Sequence, residues 1–97
     1  MHEELLGCLE DYATLWHSLG QDEEAVRMHA AVDTLRQRMA LTRPPRADAQ
    51  IRANVARLRA SLGAAAFDTA WLAGTGWEIS EAADRALAVA PEEAAIA

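Results

Sequence analysis

Cysteine, aromatic residues and long apolar runs are all scarce in this 97-residue chain. Cys8 is the single cysteine, which excludes an intrachain disulfide and a metal site built from several thiolates. Aromatic residues make up 5% of the chain, and with few β-branched residues beside them they disfavour strands. No apolar run approaches the roughly 20 residues that cross a bilayer, and no basic-then-apolar leader opens the sequence. We therefore expect a cytoplasmic protein that does not enter a membrane.

Alanine and leucine dominate what is present, with 23 and 11 copies, and both favour helices. Apolar residues recur at steps of three and four, which predicts amphipathic helices. The stripe of the first helix is Leu5, Leu9, Tyr12, Trp16 and Leu19. The stripe of the second is Ala25, Met28, Val32, Leu35 and Met39. Gly20 separates them, so we predict an antiparallel helical hairpin over 1–41.

The second half of the chain is predicted to hold three shorter helices within 51–90. A proline-containing linker over 42–50 precedes them, because two adjacent prolines cannot continue a helix. Phe67 and Trp71, four residues apart, are expected to dock the fourth helix onto the third. The tail, 91–97, is expected to fray. The prediction is one all-α domain over 1–97 with about five helices.

Charge is sorted along the chain, and the middle segment is basic. Residues 34–63 hold seven arginines and one acid, whereas 1–33 hold eight acids and one arginine. An arginine strip could bind phosphates, but the chain carries a formal net charge of −6 and the strip has no aromatic residues for stacking. We therefore favour neutralisation of these arginines by acidic neighbours and expect no direct binding of nucleic acid.

The sequence offers no catalytic residues and implies no cofactor. His29 and Asp33 have the one-turn spacing of two metal ligands, but no second pair completes a metal site. Cys8 lies next to acidic residues and has no basic neighbour in the sequence to stabilise a reactive thiolate, so we interpret it as a small core filler. The chain is therefore predicted not to be an enzyme.

The sequence thus divides its large side chains into a core and a candidate partner surface. Trp77 lies in a turn between helices, where it either covers the core as a lid or anchors a partner. The predicted core is Leu9, Tyr12, Trp16, Leu19, Ala25, Val32, Leu35, Leu58, Leu62, Phe67 and Trp71. The candidate partner surface is Trp77, Arg52, Arg57 and Arg59.

The first two helices resemble a tetratricopeptide (TPR) helix pair. The residues that carry the resemblance are Leu9, Tyr12, Ala13 and Trp16, then Gly20 in the turn and Ala25 at the close-contact position. His29 stands where an aromatic residue is usual, and Val32 where a small alanine is usual. The resemblance implies a TPR-like right-handed helical repeat.

The second half resembles the closing segment of large bacterial LuxR-type ATP-binding transcriptional regulators and cyclase homologues. It matches in the run Leu58-Arg59-Ala60-Ser61-Leu62-Gly63, then Phe67, Ala70-Trp71, Gly74, Glu81-Ala82-Ala83 and Ala86-Leu87. In that family a double-proline linker precedes the stretch, as Pro44-Pro45 does here. A departure is Met28-His29 in place of the usual Leu-Gly.

The resemblance implies a non-catalytic scaffold that transmits signals through protein contacts, with neighbouring helical repeats or a second copy as partner. No nucleotide-binding motif and no helix-turn-helix lies in these residues. Two alternatives stay open: a small helical adaptor that homodimerises, and a nucleic-acid-binding domain that uses the arginine-rich segment.

Overall fold

The structure, a computed structural model, describes the backbone of residues 2–96 and the side chains of residues 3–88. This part of the chain forms five helices and contains no strand, which confirms the all-α prediction. The helices are α1 His2–Ser18, α2 Asp22–Met39, α3 Pro45–Leu62, α4 Ala64–Thr75 and α5 Ile79–Ile96.

The turn between α1 and α2 closes the predicted hairpin. Gly20 has a φ of 81°, a left-handed conformation that glycine adopts without a steric penalty. The Gln21 N–H donates to the Trp16 carbonyl at 2.8 Å, and the Gly20 N–H donates to the His17 carbonyl at 3.1 Å. These two bonds form the Schellman pattern that ends a helix. The hairpin is confirmed, whereas the handedness of a TPR-like repeat stays a prediction.

Helix α2 lies at the centre of the molecule and packs against the other four helices. Its most extensive partner is α4, and the two backbones approach closely at Gly74. A Cβ at Gly74 would lie 2.7 Å from the Arg27 Cα and carbonyl carbon, and closer still to the carbonyl oxygen. Glycine is therefore required there. The sequence had predicted that α4 docks mainly on α3, and the structure corrects this.

Helix α3 begins at Pro45, within the segment predicted as a linker over 42–50. Pro45 occupies the first helical position, where a missing N–H costs nothing and the fixed φ suits a helix. The Asp48 N–H donates to the Pro44 carbonyl at 2.9 Å and closes the first turn. Two adjacent prolines can therefore start a helix as well as stop one, and the linker is shorter than predicted.

Helix α5 contacts both α1 and α2, so the first and last helices of the chain are neighbours. Its backbone is helical through Pro91 to Ile96, where the sequence predicted a frayed tail. The side chains of that tail lie outside the described residues.

The core is centred on α1 and α2, and its position on α1 differs from the predicted stripe. The inward face of α1 is Leu6, Leu9, Ala13 and Trp16. Leu19 is 42% exposed, which corrects its assignment to the core. The steps of three and four fit either of two neighbouring faces of α1, and the structure buries the one that includes Leu6.

The other predicted core residues are buried or half-buried. Those that the structure buries are Leu9, Trp16, Ala25, Val32, Leu35, Leu58 and Phe67. Tyr12, Leu62 and Trp71 are partly buried and pack against this core. Trp71 therefore has one side in the core and one side accessible.

Candidate interaction surface

The arginine-rich segment does not form one strip, because its members point in different directions. Arg36 on α2 is 6% exposed and reaches α1, where its Nε and Nη2 each donate to a Glu10 carboxylate oxygen at 3.1 Å. Its Nη1 donates to Glu3 at 2.7 Å. Arg43 donates to the same Glu10 carboxylate and, at 3.1 Å, to Asp48. These arginines hold the α3 start against α1 and are unavailable to phosphate groups.

The electrostatics of this network favour its charged form. Burial alone would lower the pKa of the Arg36 guanidinium, but hydrogen bonds to Glu10 and Glu3 outweigh it and raise that pKa. Hydrogen bonds from Arg52 and Arg43 lower the pKa of the Asp48 carboxyl. A cavity of about 670 Å³ between α1 and α3 contains this network, in which Arg36 and Arg43 pair with Glu3 and Glu10. We therefore assign that cavity a structural role.

The three arginines predicted for a partner surface lie on α3 and separate into two groups. Arg52, 80% exposed, donates to Asp48 at 2.7 Å. Arg59 places its guanidinium carbon 5.5 Å from the centre of the Phe67 ring, a cation–π arrangement. Arg57 instead donates to the Asn54 amide oxygen at 3.4 Å. Arg52 and Arg59 border the same cavity, and Arg57 does not.

That cavity is an open, mainly apolar groove of about 650 Å³ between α3 and α4. We call it the α3–α4 groove, and its lining residues are Arg52, Val55, Ala56, Arg59, Phe67, Asp68, Trp71 and Leu72. Phe67 and Trp71 stack with their ring centres 5.6 Å apart and form its floor. Leu72 is 74% exposed at its edge. The groove presents an aromatic and aliphatic surface to solvent.

The α3 residues of the groove share one helical face, since they recur at i, i+3, i+4 and i+7. The sequence identified Arg52 and Arg59 as surface residues and Phe67 and Trp71 as apolar, but it did not bring them together. Leu72 and Ala56 were missed. The i, i+3, i+4, i+7 spacing on α3 is the signal that could have found the groove.

Trp77 is buried, with 6% of its surface exposed, and does not belong to a partner surface. Its backbone N–H donates to the Gly74 carbonyl at 3.0 Å, which folds the α4–α5 turn over the core. The Arg85 guanidinium lies 4.7 Å from the centre of the Trp77 ring and covers its outer face. The structure corrects the partner-surface assignment and matches the lid interpretation.

A second apolar surface follows α1 beside its buried face. We call it the α1 stripe, and its residues are Leu5, Cys8, Tyr12 and Leu15 of the helix and Leu19, which directly follows the helix end at Ser18. The three leucines are 38–42% exposed, Cys8 is exposed and Tyr12 is partly buried. Their alternating steps of three and four form a heptad pattern of the kind that packs against another helix. Cys8 is therefore not the core filler that the sequence predicted.

His29 lies in the core and is not placed in a metal site. It is 2% exposed, and neither ring nitrogen has a hydrogen-bond partner among the described residues. Burial lowers the pKa of His29 to about 4, with smaller contributions from the charges of Arg43 and His17. In the described part of the chain, no three potential ligands among His, Cys, Asp and Glu lie together.

Comparison with known proteins finds no matching family model, no similar curated protein and no similar solved structure. Among the described residues, no helix combines the length and apolarity needed to cross a membrane. Function must therefore be argued from the two exposed apolar surfaces of this chain.

Proposed function

We propose that this chain is a non-catalytic helical scaffold for protein–protein interaction and signal transmission, and that it binds a partner helix in the α3–α4 groove. The observation that carries the proposal is the groove itself, where Trp71 and Leu72 present an apolar surface, with Phe67 buried beneath it, beside two exposed arginines of α3. A groove between two helices is the usual receptor for the apolar face of a third helix. Aromatic residues and arginine are also the residue types that contribute most to binding at protein interfaces.

The resemblance to the closing segment of LuxR-type ATP-binding regulators supports the same proposal. Residues in that resemblance, Leu58 through Leu62 and then Phe67 and Trp71, lie along α3 and α4. In such a regulator this segment would carry contacts between the helical array and its partners in the cytoplasm. An open reading frame that continues upstream of Met1 into an ATP-binding module would support this origin.

The nucleic-acid alternative is disfavoured by the internal pairing of the arginines. Arg36 and Arg43 are enclosed and each donate to carboxylates of the same chain. A phosphate backbone would have to compete with those carboxylates, and acidic segments flank the basic one. We expect negligible affinity for duplex DNA at physiological salt.

A peptide titration tests the proposed binding mode. The probe is a designed helical peptide with leucines in a heptad pattern and glutamates along both edges of the leucine face, and the matched control carries lysines in place of the glutamates. We expect the acidic peptide to shift the amide NMR signals of Arg52, Arg59, Trp71 and Leu72. The lysine peptide should bind more weakly because it faces the two arginines. Signals that shift elsewhere, or equal affinity for both peptides, would contradict the proposal.

A further inference from the structure

We propose that the partner helix is α1 of a second copy, so that the chain associates head to tail with the α1 stripe of one copy in the α3–α4 groove of the next. This inference rests on the proposed function, because it needs the groove to be a helix-binding surface. In this arrangement, the two apolar surfaces that the fold leaves uncovered cover each other across neighbouring copies.

The shapes of the two surfaces agree. The groove side on α3 extends from Arg52 to Arg59, seven residues or roughly 10 Å along the helix axis. Two turns of a helix span the same length. On the α1 stripe, Leu15 lies in the last turn of α1 and Leu19 directly follows the helix end, and they are 41% and 42% exposed. The Leu19 N–H donates to the Leu15 carbonyl at 3.0 Å, so the two leucines are still one helical turn apart. Two leucines one turn apart are the kind of anchor that a groove of this length accepts.

The charges of the two surfaces are complementary. Arg52 and Arg59 border the groove on its α3 side, whereas Asp68 lies on its α4 side. Asp11 is exposed on α1, next to Tyr12 and one turn before Leu15, so it lies along the edge of the stripe. A stripe that points its Asp11 edge toward α3 brings a carboxylate to the arginine side of the groove.

The two symmetric alternatives are less favourable. Pairing one groove with another would set two concave surfaces face to face and leave both without a helix. Pairing one stripe with another would bring two Asp11 carboxylates to the same interface, and like charges across an interface are unfavourable. The head-to-tail contact avoids both problems. The assembly then keeps one unused groove at one end and one unused stripe at the other.

Two features of the association follow from this geometry. A heterologous contact leaves a free surface at each end, so the assembly grows with concentration instead of stopping at a dimer. One helix in one short groove is a small interface, and small interfaces give weak association. We expect self-association between about 10 µM and about 1 mM, and weaker association at high salt.

Mixing two defective variants tests the proposal most sharply. Leu72→Asp places a charge in the groove, Leu15→Asp places one in the stripe, and each site is exposed enough to preserve folding. Each variant alone should be monomeric by sedimentation equilibrium, because each retains only one of the two surfaces. An equimolar mixture should form a one-to-one heterodimer, since the intact stripe of the Leu72→Asp chain fits the intact groove of the Leu15→Asp chain. Leu87→Asp, at an exposed leucine on α5, is the matched control and should associate like the unmodified chain.

Three outcomes would overturn the proposal. The mixture could remain monomeric, one variant could associate as well as the unmodified chain, or the unmodified chain could be monomeric at about 1 mM. If the acidic peptide still binds the groove in these cases, self-association fails and the proposed function stands. If the peptide also fails to bind, both fail.

Charge reversal gives an independent check of the orientation. Arg52→Glu should weaken association by about two- to fivefold, as expected for an exposed ion pair. Asp11→Arg in the same chain should recover most of that loss, because it restores opposite charges across the contact. If the second change weakens association further, Asp11 does not face the arginines and the proposed orientation is wrong.

Discussion

Helices α2 and α3 have the same length, 18 residues, but differ in how much of each helix is buried. Nine residues of α2 are buried, whereas α3 buries Asn54 and Leu58. Because α2 contacts all the other helices, the fold depends on nearly every one of its faces. Helix α3 packs on one narrow face and leaves a second apolar face in the groove. The comparison indicates that one helix specifies the fold and the other is available to a partner.

The arginines of the two helices show the same division. Arg36 on α2 is enclosed and joined to two glutamates of α1, whereas Arg52 on α3 is almost entirely exposed. The sequence groups both in one basic segment, but the fold turns one inward and one outward. Local charge density alone therefore does not identify a binding surface.

The largest expected difference is between two tryptophans. Trp16 is fully buried in the core with α2, whereas Trp71 is half-buried on the floor of the groove. Trp16→Ala should lower the free energy of unfolding by about 3–5 kcal/mol. Trp71→Ala should lower it by about 1–2 kcal/mol, because less of its surface leaves water on folding. Urea unfolding followed by far-UV circular dichroism measures both.

Trp77 provides the control for this comparison. It is nearly as buried as Trp16, so Trp77→Ala should cost more than Trp71→Ala. From the sequence, in which Phe67 and Trp71 dock α4 and Trp77 lies in a turn, the opposite order would be expected. A greater loss from Trp71→Ala than from Trp77→Ala would mean that α4 depends on the groove side for its docking.

A matched pair of arginine variants should show the next largest difference. Arg36→Gln removes one of the positive charges that neutralise the buried Glu10 carboxylate. It should therefore lower the free energy of unfolding by about 3 kcal/mol. Arg52→Gln removes an exposed ion pair and should change the free energy of unfolding by less than about 1 kcal/mol. Similar losses for the two variants in urea unfolding would show that the Glu10 network contributes little.

His29 makes α2 sensitive to acid, and α3 contains no histidine. The pKa of His29 is about 4 in the folded protein, against an ordinary value of 6.5, so the unfolded chain takes up the proton first. Its contribution to stability is complete above about pH 6.5 and is lost as the pH falls toward about 4. The loss at the lower limit is about 3 kcal/mol.

The variant His29→Phe removes this titration and places an aromatic residue where TPR pairs usually have one. Urea midpoints between pH 7 and pH 4 should fall steeply for the unmodified chain and much less for the variant. If the urea midpoints of the two proteins fall equally, the acid sensitivity comes from groups other than His29. Among these, Asp22 and Asp48 have carboxyl pKa values below their usual range, so their contributions are lost at lower pH.

The hairpin and most of the core could be predicted, because the spacing of apolar residues and the turn at Gly20 are both local features of the sequence. The sequence could not predict that Leu6 of α1 is buried and Leu5 is exposed, because both residues fit the three- and four-residue spacing of the apolar residues. The sequence predicts a linker at Pro45 because proline cannot continue a helix, but proline also fits the first position of a new helix. The groove was missed because it depends on how α3 and α4 lie beside each other, and local periodicity does not determine that arrangement. The burial of Trp77 depends in the same way on the α4–α5 turn and on Arg85.

The same substitution in the two helices tests the central claim that α2 specifies the fold and α3 serves a partner. Val32 is fully buried on α2, whereas Val55 on α3 is partly buried and lines the groove. Threonine has nearly the shape of valine and adds one hydroxyl group. Val32→Thr should lower the free energy of unfolding by about 1–2 kcal/mol, because that hydroxyl enters an apolar site. Val55→Thr should lower it by less than about 0.5 kcal/mol.

Urea unfolding of the two variants, measured side by side in the same buffer, is therefore the decisive comparison. The account predicts a clear loss of stability for Val32→Thr and a curve for Val55→Thr that nearly overlays that of the unmodified chain. Equal losses in the two variants, or a greater loss at Val55, would contradict it, because the α3 face would then belong to the folding core.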